Sequence, residues 1–150
     1  MTHEERAMID LVLDLVLFLS KDRLTVEEVT ARLGSIAHDP GVPMPLQLRP
    51  TLPGVRSAVL SRYPDSGIPY ALTLEPATDS RPTVGALKDV LGSYKRARST
   101  PEMHVDLIFP LTRVGSTWRI VVIVTVDRTA GEMDLARTTA IGFRRDPVTQ

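Results

Sequence analysis

Apolar residues recur at Met8, Leu11, Val12, Leu15, Phe18 and Leu19, the three- and four-residue spacing of one buried helix face. Ile9, Leu13, Val16 and Leu17 are apolar on much of the other side, leaving Arg6, Asp10 and Asp14 as one narrow polar line. Glu4 to Leu19 therefore reads as a helix that is apolar nearly all round. Such a helix is either covered within its own core or meets another subunit or partner with its second side. Asp10 and Asp14 break the run short of the ~20 apolar residues of a membrane span. The mixed-charge start MTHEER, with no small-residue cleavage site after it, does not read as an export signal.

A second helix is expected over Val26 to Leu33. Thr25 and Glu28 form a capping box, Leu24 can staple onto Val29, and Gly34 supplies a stop. Short helices of this kind open helix-turn-helix units, but prolines follow here instead of a recognition helix. Residues 39–54 hold Pro40, Pro43, Pro45, Pro50 and Pro53, so an extended linker without regular pairing is expected. Val42, Met44, Leu46 and Leu48 alternate within it, which predicts that it packs across the body of the protein. A ligand for proline-recognising grooves is the alternative.

Val55 to Tyr63 and Ile68 to Glu75 read as a hairpin around the turn Pro64-Asp65-Ser66-Gly67. Pro69 places the second strand at an edge or makes its start irregular. Thr83 can cap a third helix, Val84 to Leu91, ended by Gly92. Met103 to Arg113 and Thr117 to Asp127 then alternate cleanly. A two-residue connection at Val114-Gly115 would set Leu111 opposite Trp118, Phe109 opposite Ile120, Leu107 opposite Val122 and Val105 opposite Val124. Val114 is a poor residue for a turn position of positive φ, so an adjustment there is anticipated. Asp134 to Arg144 returns as a third strand.

The opposite face of these strands carries Ile108, Val121, Ile123 and Thr125, with His104 and Asp106 at one end. A sheet face left in water is mostly polar, so this face is expected to be covered by the hairpin, a ligand or a second subunit. On the third strand Ala136, Thr138, Ala140 and Gly142 form a stripe of small residues. Ile141 and Phe143 lie on the other stripe, with Leu135, Arg137 and Thr139. The partner-binding set expected from the pattern is Ile108, Val121, Ile123, Ile141 and Phe143.

Composition narrows the chemistry. The 150 residues suggest one domain with a hydrophobic core, 43% hydrophobic and 24% charged. The formal net charge is zero, so no global field draws nucleic acid or an anionic membrane. There is no cysteine, which excludes disulfides, iron–sulfur ligation and a thiol nucleophile. The cytoplasm is the expected compartment.

Candidate catalytic residues are few. His104 and Asp106 are two apart on a strand and point the same way, as a carboxylate orienting an imidazole would. Arg137 is the one charge on an apolar stripe; buried, it would need a carboxylate or an anionic ligand, with Asp106 or Asp127 as the first candidates. Lys95, Arg96 and Arg98, with Lys88 and Tyr94 nearby, could touch phosphates, but no second basic or aromatic stripe accompanies them. His3 and His38 complete the three histidines and make no metal site with His104. No glycine-rich phosphate loop or nucleophile elbow is present, and no cofactor is expected.

The order helix, helix, strand, strand, helix and three strands resembles the cone-shaped α+β fold of the nuclear-transport-factor-like superfamily, which includes ketosteroid-isomerase-like enzymes. That resemblance implies a curved sheet around the long first helix, often with a pocket, and dimerisation through the outer sheet face. The capped second helix and the proline-rich stretch depart from it. A similar order is found in secretion-chaperone-like folds, which are non-enzymatic dimers. The expectation is one α+β domain, with an antiparallel sheet of about five strands and helices on one face. It would act as a homodimeric interaction protein, accessory, chaperone-like or immunity-type, with a possible protein partner. The alternative is a pocket-containing isomerase- or dehydratase-like protein using His104, Asp106 or Arg137. Nucleic-acid binding through Lys95 to Arg98 is a weaker third reading.

Overall fold

The computed structural model describes residues 1–97, 104–114, 117–127 and 131–148, with the backbone alone at His104 and at 112–114. Three helices lie on one face of an antiparallel sheet. They are α1 (His3–Leu19), α2 (Val26–Leu33) and α3 (Val84–Leu91). The strands are β1 (Ile36–His38), β2 (Leu46–Leu48), β3 (Val55–Arg62), β4 (Pro69–Pro76), β5 (Lys95–Arg96), β6 (His104–Val114), β7 (Trp118–Asp127) and β8 (Thr138–Pro147). Their order across the sheet is β1-β2-β3-β4-β8-β7-β6-β5. Each half is a meander. The last strand, β8, lies in the middle and pairs with β4 on one side and β7 on the other.

The helices begin where their caps require. Thr2 accepts from the Glu5 amide, Thr83 from the Ala86 amide, and Thr25 and Glu28 close a reciprocal capping box. Lys21 pairs with Glu28 beside that box and holds its carboxyl below the usual carboxylate range. Gly34 ends α2 at φ +144°, where a Cβ would sit 1.8 Å from the Arg49 carbonyl oxygen. Only glycine lets the chain leave α2 this close to the segment beyond β2.

Two arginines of the C-terminal segment contact the ends of helix α1, an exposed one at its start and a buried one at its end. At its start Arg137 Nη1 donates to Glu5 Oε1 at 2.7 Å. At its end the Arg145 guanidinium is 2% exposed. It donates to the carbonyls of Leu19 (2.8 Å), Lys21 (2.9 Å) and Pro69 (2.6 Å). Trp118 stacks on this guanidinium at 4.3 Å and donates through its indole nitrogen to the Asp22 carbonyl at 3.2 Å. Helix and strand are of comparable length, Glu5 to Leu19 spanning about 21 Å and Arg137 to Arg145 about 26 Å. Cations at a helix C-terminus also complement its dipole.

A single apolar cluster fills the space between helices and sheet. It joins Met8, Val12 and Leu15 of α1, Val29 and Leu33 of α2 and Leu87 of α3 to the inner faces of β2, β3, β4, β6, β7 and β8.

The α+β class, the three helices and the one-sided arrangement agree with the sequence pattern. The strand count does not: the sheet has eight strands where about five are expected. Part of the difference lies in the proline-rich stretch. Leu46–Leu48, between Pro45 and Pro50, pairs with β3 as a short strand, and β1 pairs with it in turn. Leu46 and Leu48 are buried while Val42 and Met44 are exposed, so only the second half of that alternation packs on the body. The β6–β7 register is displaced by two residues from the expected one. Leu107 faces Val124 and Phe109 faces Val122, with an irregularity between Pro110 and Val114. Val114 stays in the strand opposite Arg119 rather than turning, as its β-branched side chain favours. A two-residue displacement preserves which side chains share a face.

Arg145→Met leaves three carbonyl oxygens without their donor and should cost about 3 kcal/mol or more in urea unfolding. Arg145→Lys keeps the charge but not the fork and should recover only part. A loss below about 1 kcal/mol would mean that these carbonyls find other donors.

Candidate functional site

Strand alternation fixes what each face of the sheet presents. On β6, Val105, Leu107 and Phe109 point into the core, and Asp106, Ile108 and Pro110 point outward. On β7, Ile120, Val122, Val124 and Val126 point inward, and Arg119, Val121, Ile123, Thr125 and Asp127 outward. On β8 the ladder shifts between the Thr125–Ala140 and Val126–Thr138 pairs. That bulge lets Thr138 and Ile141 both face inward, three residues apart, followed by Phe143 and Arg145. Ala140, Gly142 and Arg144 face outward.

The register aligns these outward positions into rows. One unbroken row runs Gln47, Val59, Thr73, Gly142, Ile123, Ile108 and Lys95, uncharged until it reaches Lys95 at the β5 edge. The next runs Ser61, Ala71, Arg144, Val121 and Pro110. A third contains Ala140, Thr125 and Asp106. The middle of the face is thus small or β-branched, and all three helices lie on the other side. Its two ends differ in charge. Arg119 and Arg144 lie at one end, where Arg144 pairs with Asp146 at 2.8 Å and 3.0 Å. Glu75, Asp106 and Asp127 lie at the other, with Arg56 3.4 Å from Glu75.

The expected partner-binding residues divide between the two faces. Ile108, Val121 and Ile123 lie on the outer face; Ile108 and Ile123 are half-buried and Val121 is 6% exposed. Ile141 and Phe143 do not belong with them. They are buried in the core, at 0% and 1% exposure, because the ladder sets them opposite the inward-facing Val124 and Val122.

The candidate catalytic residues are not gathered into one site. The His104 side chain lies outside the described residues. Asp106 is on the outer face and accepts from the Thr125 hydroxyl at 2.8 Å. Arg137 is exposed, and its partners are Glu5 and the Arg81 carbonyl rather than Asp106 or Asp127. Of the basic cluster, Lys95 and Arg96 are exposed on β5, Lys88 sits 3.7 Å from Asp134, and Arg98 lies outside the described residues. Tyr94 is turned away from that cluster. Its ring packs on Phe109 at 5.6 Å and its hydroxyl donates to Asp134 at 3.2 Å. Burial, with the Asp134 carboxylate beside it, raises its pKa, so the phenol stays protonated.

An apolar groove of about 720 Å3 opens on the helix side. Leu13, Val16 and Leu17 of α1 form one wall, Val90 and Leu91 at the end of α3 another, and Tyr94 and Leu111 the floor, with Pro110 at the sheet edge beside it. None of Asp106, Arg137 and Ile123 lines it. Leu17 is 53% exposed at its edge, with Leu13 and Val90 also exposed. The second side of α1, apolar in the sequence, is therefore incompletely covered. The signal that could have located this groove is the coincidence of that second stripe with Val90 and Leu91 at the end of α3.

Among the described residues no three or more His, Cys, Asp or Glu side chains converge as a metal site. No described helix is long and apolar enough to cross a membrane. Family models, curated proteins and solved structures were each compared with the chain, and none matches it significantly.

The Arg137–Glu5 contact is a half-exposed ion pair, and such pairs contribute little. Arg137→Ala should change thermal stability by less than about 1 kcal/mol. A larger loss would show that Arg137 organises the start of α1 rather than decorating it.

Proposed function

We propose that this chain is a non-enzymatic interaction protein that acts as a homodimer, two copies meeting through the outer faces of their sheets. The observation that carries this reading is the row Val59, Thr73, Gly142, Ile123 and Ile108, which is free of charge across five strands on a face that none of the described helices covers. A second backbone can approach closely over Ala71, Ala140 and Gly142, where little side chain intervenes. Sheet faces pack about 10 Å apart when the residues between them are small or interdigitate.

The charge arrangement favours a second copy over an unrelated partner. The face is basic at the Arg119 and Arg144 end and acidic at the Glu75, Asp106 and Asp127 end. A two-fold axis within the plane of contact, perpendicular to the strands, lays the basic end of each copy over the acidic end of the other. The face is then complementary to itself, as an isologous interface requires. The same outer-face pairing is what the resemblance to the cone fold implies. An accessory, chaperone-like or immunity-type role is consistent with such a dimer, which leaves the helix side of each copy free for a partner.

The enzyme alternative has less support. It requires His104, Asp106 or Arg137 around one cavity, whereas Asp106 lies on the outer face and Arg137 lines two smaller concavities that Asp106 does not reach.

Sedimentation velocity should show a dimer at micromolar concentration. Ile123→Glu should weaken it about 100-fold or more by burying an unpaired carboxylate at the centre of the contact, without changing the circular dichroism spectrum. Added salt should weaken the wild-type dimer, because the ends of the face attract through charge. A monomer at about 100 μM, or a dimer indifferent to Ile123→Glu, would sink the reading.

A further inference from the structure

Another concavity, of about 510 Å3, lies beside the first turn of α2, away from the outer sheet face. Strand alternation brings Arg62 to it. Arg62 follows Ala58 and Leu60 on the inner face of β3, where both of those side chains are buried. Ile36 reaches the same side from the edge strand β1, opposite the buried Leu48. Leu24, Val42 and Ile68 extend an aliphatic wall, and Glu27 of α2 also lines the concavity. Ile36, Val42 and Ile68 stay open to solvent, at 44%, 47% and 39% exposure.

Arg62 is short of acceptors. Its side chain is only 15% exposed, yet among the described residues it has one, Asp39 Oδ1, 2.8 Å from Nη2. Nε is enclosed by protein without a hydrogen bond, and Nη1 has no acceptor among the described residues. A guanidinium carries five N–H donors, and enclosed donors are satisfied as a rule. Arg145 meets that rule with three carbonyls; Arg62 does not. Glu27 is exposed, and its carboxylate joins none of the ion pairs among the described residues. With Asp39 on Arg62 and Glu27 beside them, carboxylates outnumber the guanidinium, which disfavours a plain anion. A ligand carrying both signs suits the site better.

We propose that this concavity binds a free aliphatic α-amino acid, with leucine as the probe. The α-carboxylate accepts from Nη1 of Arg62, since Nε is closed off, and the α-ammonium pairs with the Glu27 carboxylate. The branched side chain lies against Ile36, Val42 and Ile68 and removes their exposed surface from water. The volume of about 510 Å3 falls in the range of small-molecule sites, roughly 300–1,000 Å3.

Titration calorimetry of the full chain near neutral pH compares leucine with relatives that each lack one feature. Alanine lacks most of the side chain, leucinamide the carboxylate and N-acetylleucine the ammonium. Leucine should bind with a Kd below about 1 mM, and each relative should be at least about tenfold weaker. Glu27→Gln, on the exposed first turn of α2, should weaken leucine several-fold and leave N-acetylleucine no weaker. Arg62→Gln should weaken leucine in the same way and leave leucinamide no weaker; should that variant unfold, Glu27→Gln and the three relatives still decide. No heat with leucine at about 1 mM, equal affinity for leucine and either leucinamide or N-acetylleucine, or indifference to Glu27→Gln would overturn the proposal.

Discussion

The Arg145 guanidinium holds together parts of the chain that are far apart in sequence. It is buried, and its three nitrogens donate to backbone carbonyls, two at the end of α1 and one at the start of β4. Desolvation opposes the charged form and lowers its pKa. Three charge-assisted hydrogen bonds and the stacked Trp118 ring offset that cost. The geometry also fixes register. If β8 slipped by one residue, this fork would point out of the outer face and the carbonyls would lose their donors. With β8 at the centre of the sheet and α1 tied along it, the helices are committed to one side. The bareness of the other side follows from that commitment.

Much of this was legible from residue patterns. Cap chemistry located α2 and α3, because Thr25, Glu28 and Thr83 act on amides three residues away and need no tertiary information. The alternation on β6 and β7 assigned their faces, and even a two-residue error in register left those faces unchanged. Features that depend on distant partners were hidden. The strands Ile36–His38, Leu46–Leu48 and Lys95–Arg96 are two or three residues long and become strands only because a longer strand offers its edge. Prolines on both sides of Leu46–Leu48 masked it further.

The candidate site was legible in part, and the error has one physical origin. Ile108, Val121 and Ile123 were found because β7 is regular between Trp118 and Thr125. Ile141 and Phe143 face the core because β8 pairs them with Val124 and Val122, a register that alternation within β8 alone does not reveal. The role of Arg145 is not legible in the sequence, since nothing in its neighbours shows that helix α1 ends beside it. The groove was half legible. The second apolar stripe of α1 was plain, but its neighbours from α3 and β6 are brought there only by the fold.

The molecule is two-sided, with a clamped helix layer on one side and, on the other, the outer sheet face that we propose a second copy covers. Because the chain contains no cysteine, one thiol can report on that cover alone. Thr73→Cys places it in the central row of the outer face, a near-isosteric change at an exposed position. The direct measurement is its rate of reaction with a maleimide as protein concentration rises. The account expects a rate near that of a free thiol at high dilution, falling steadily as copies pair. A fast rate independent of concentration would contradict it.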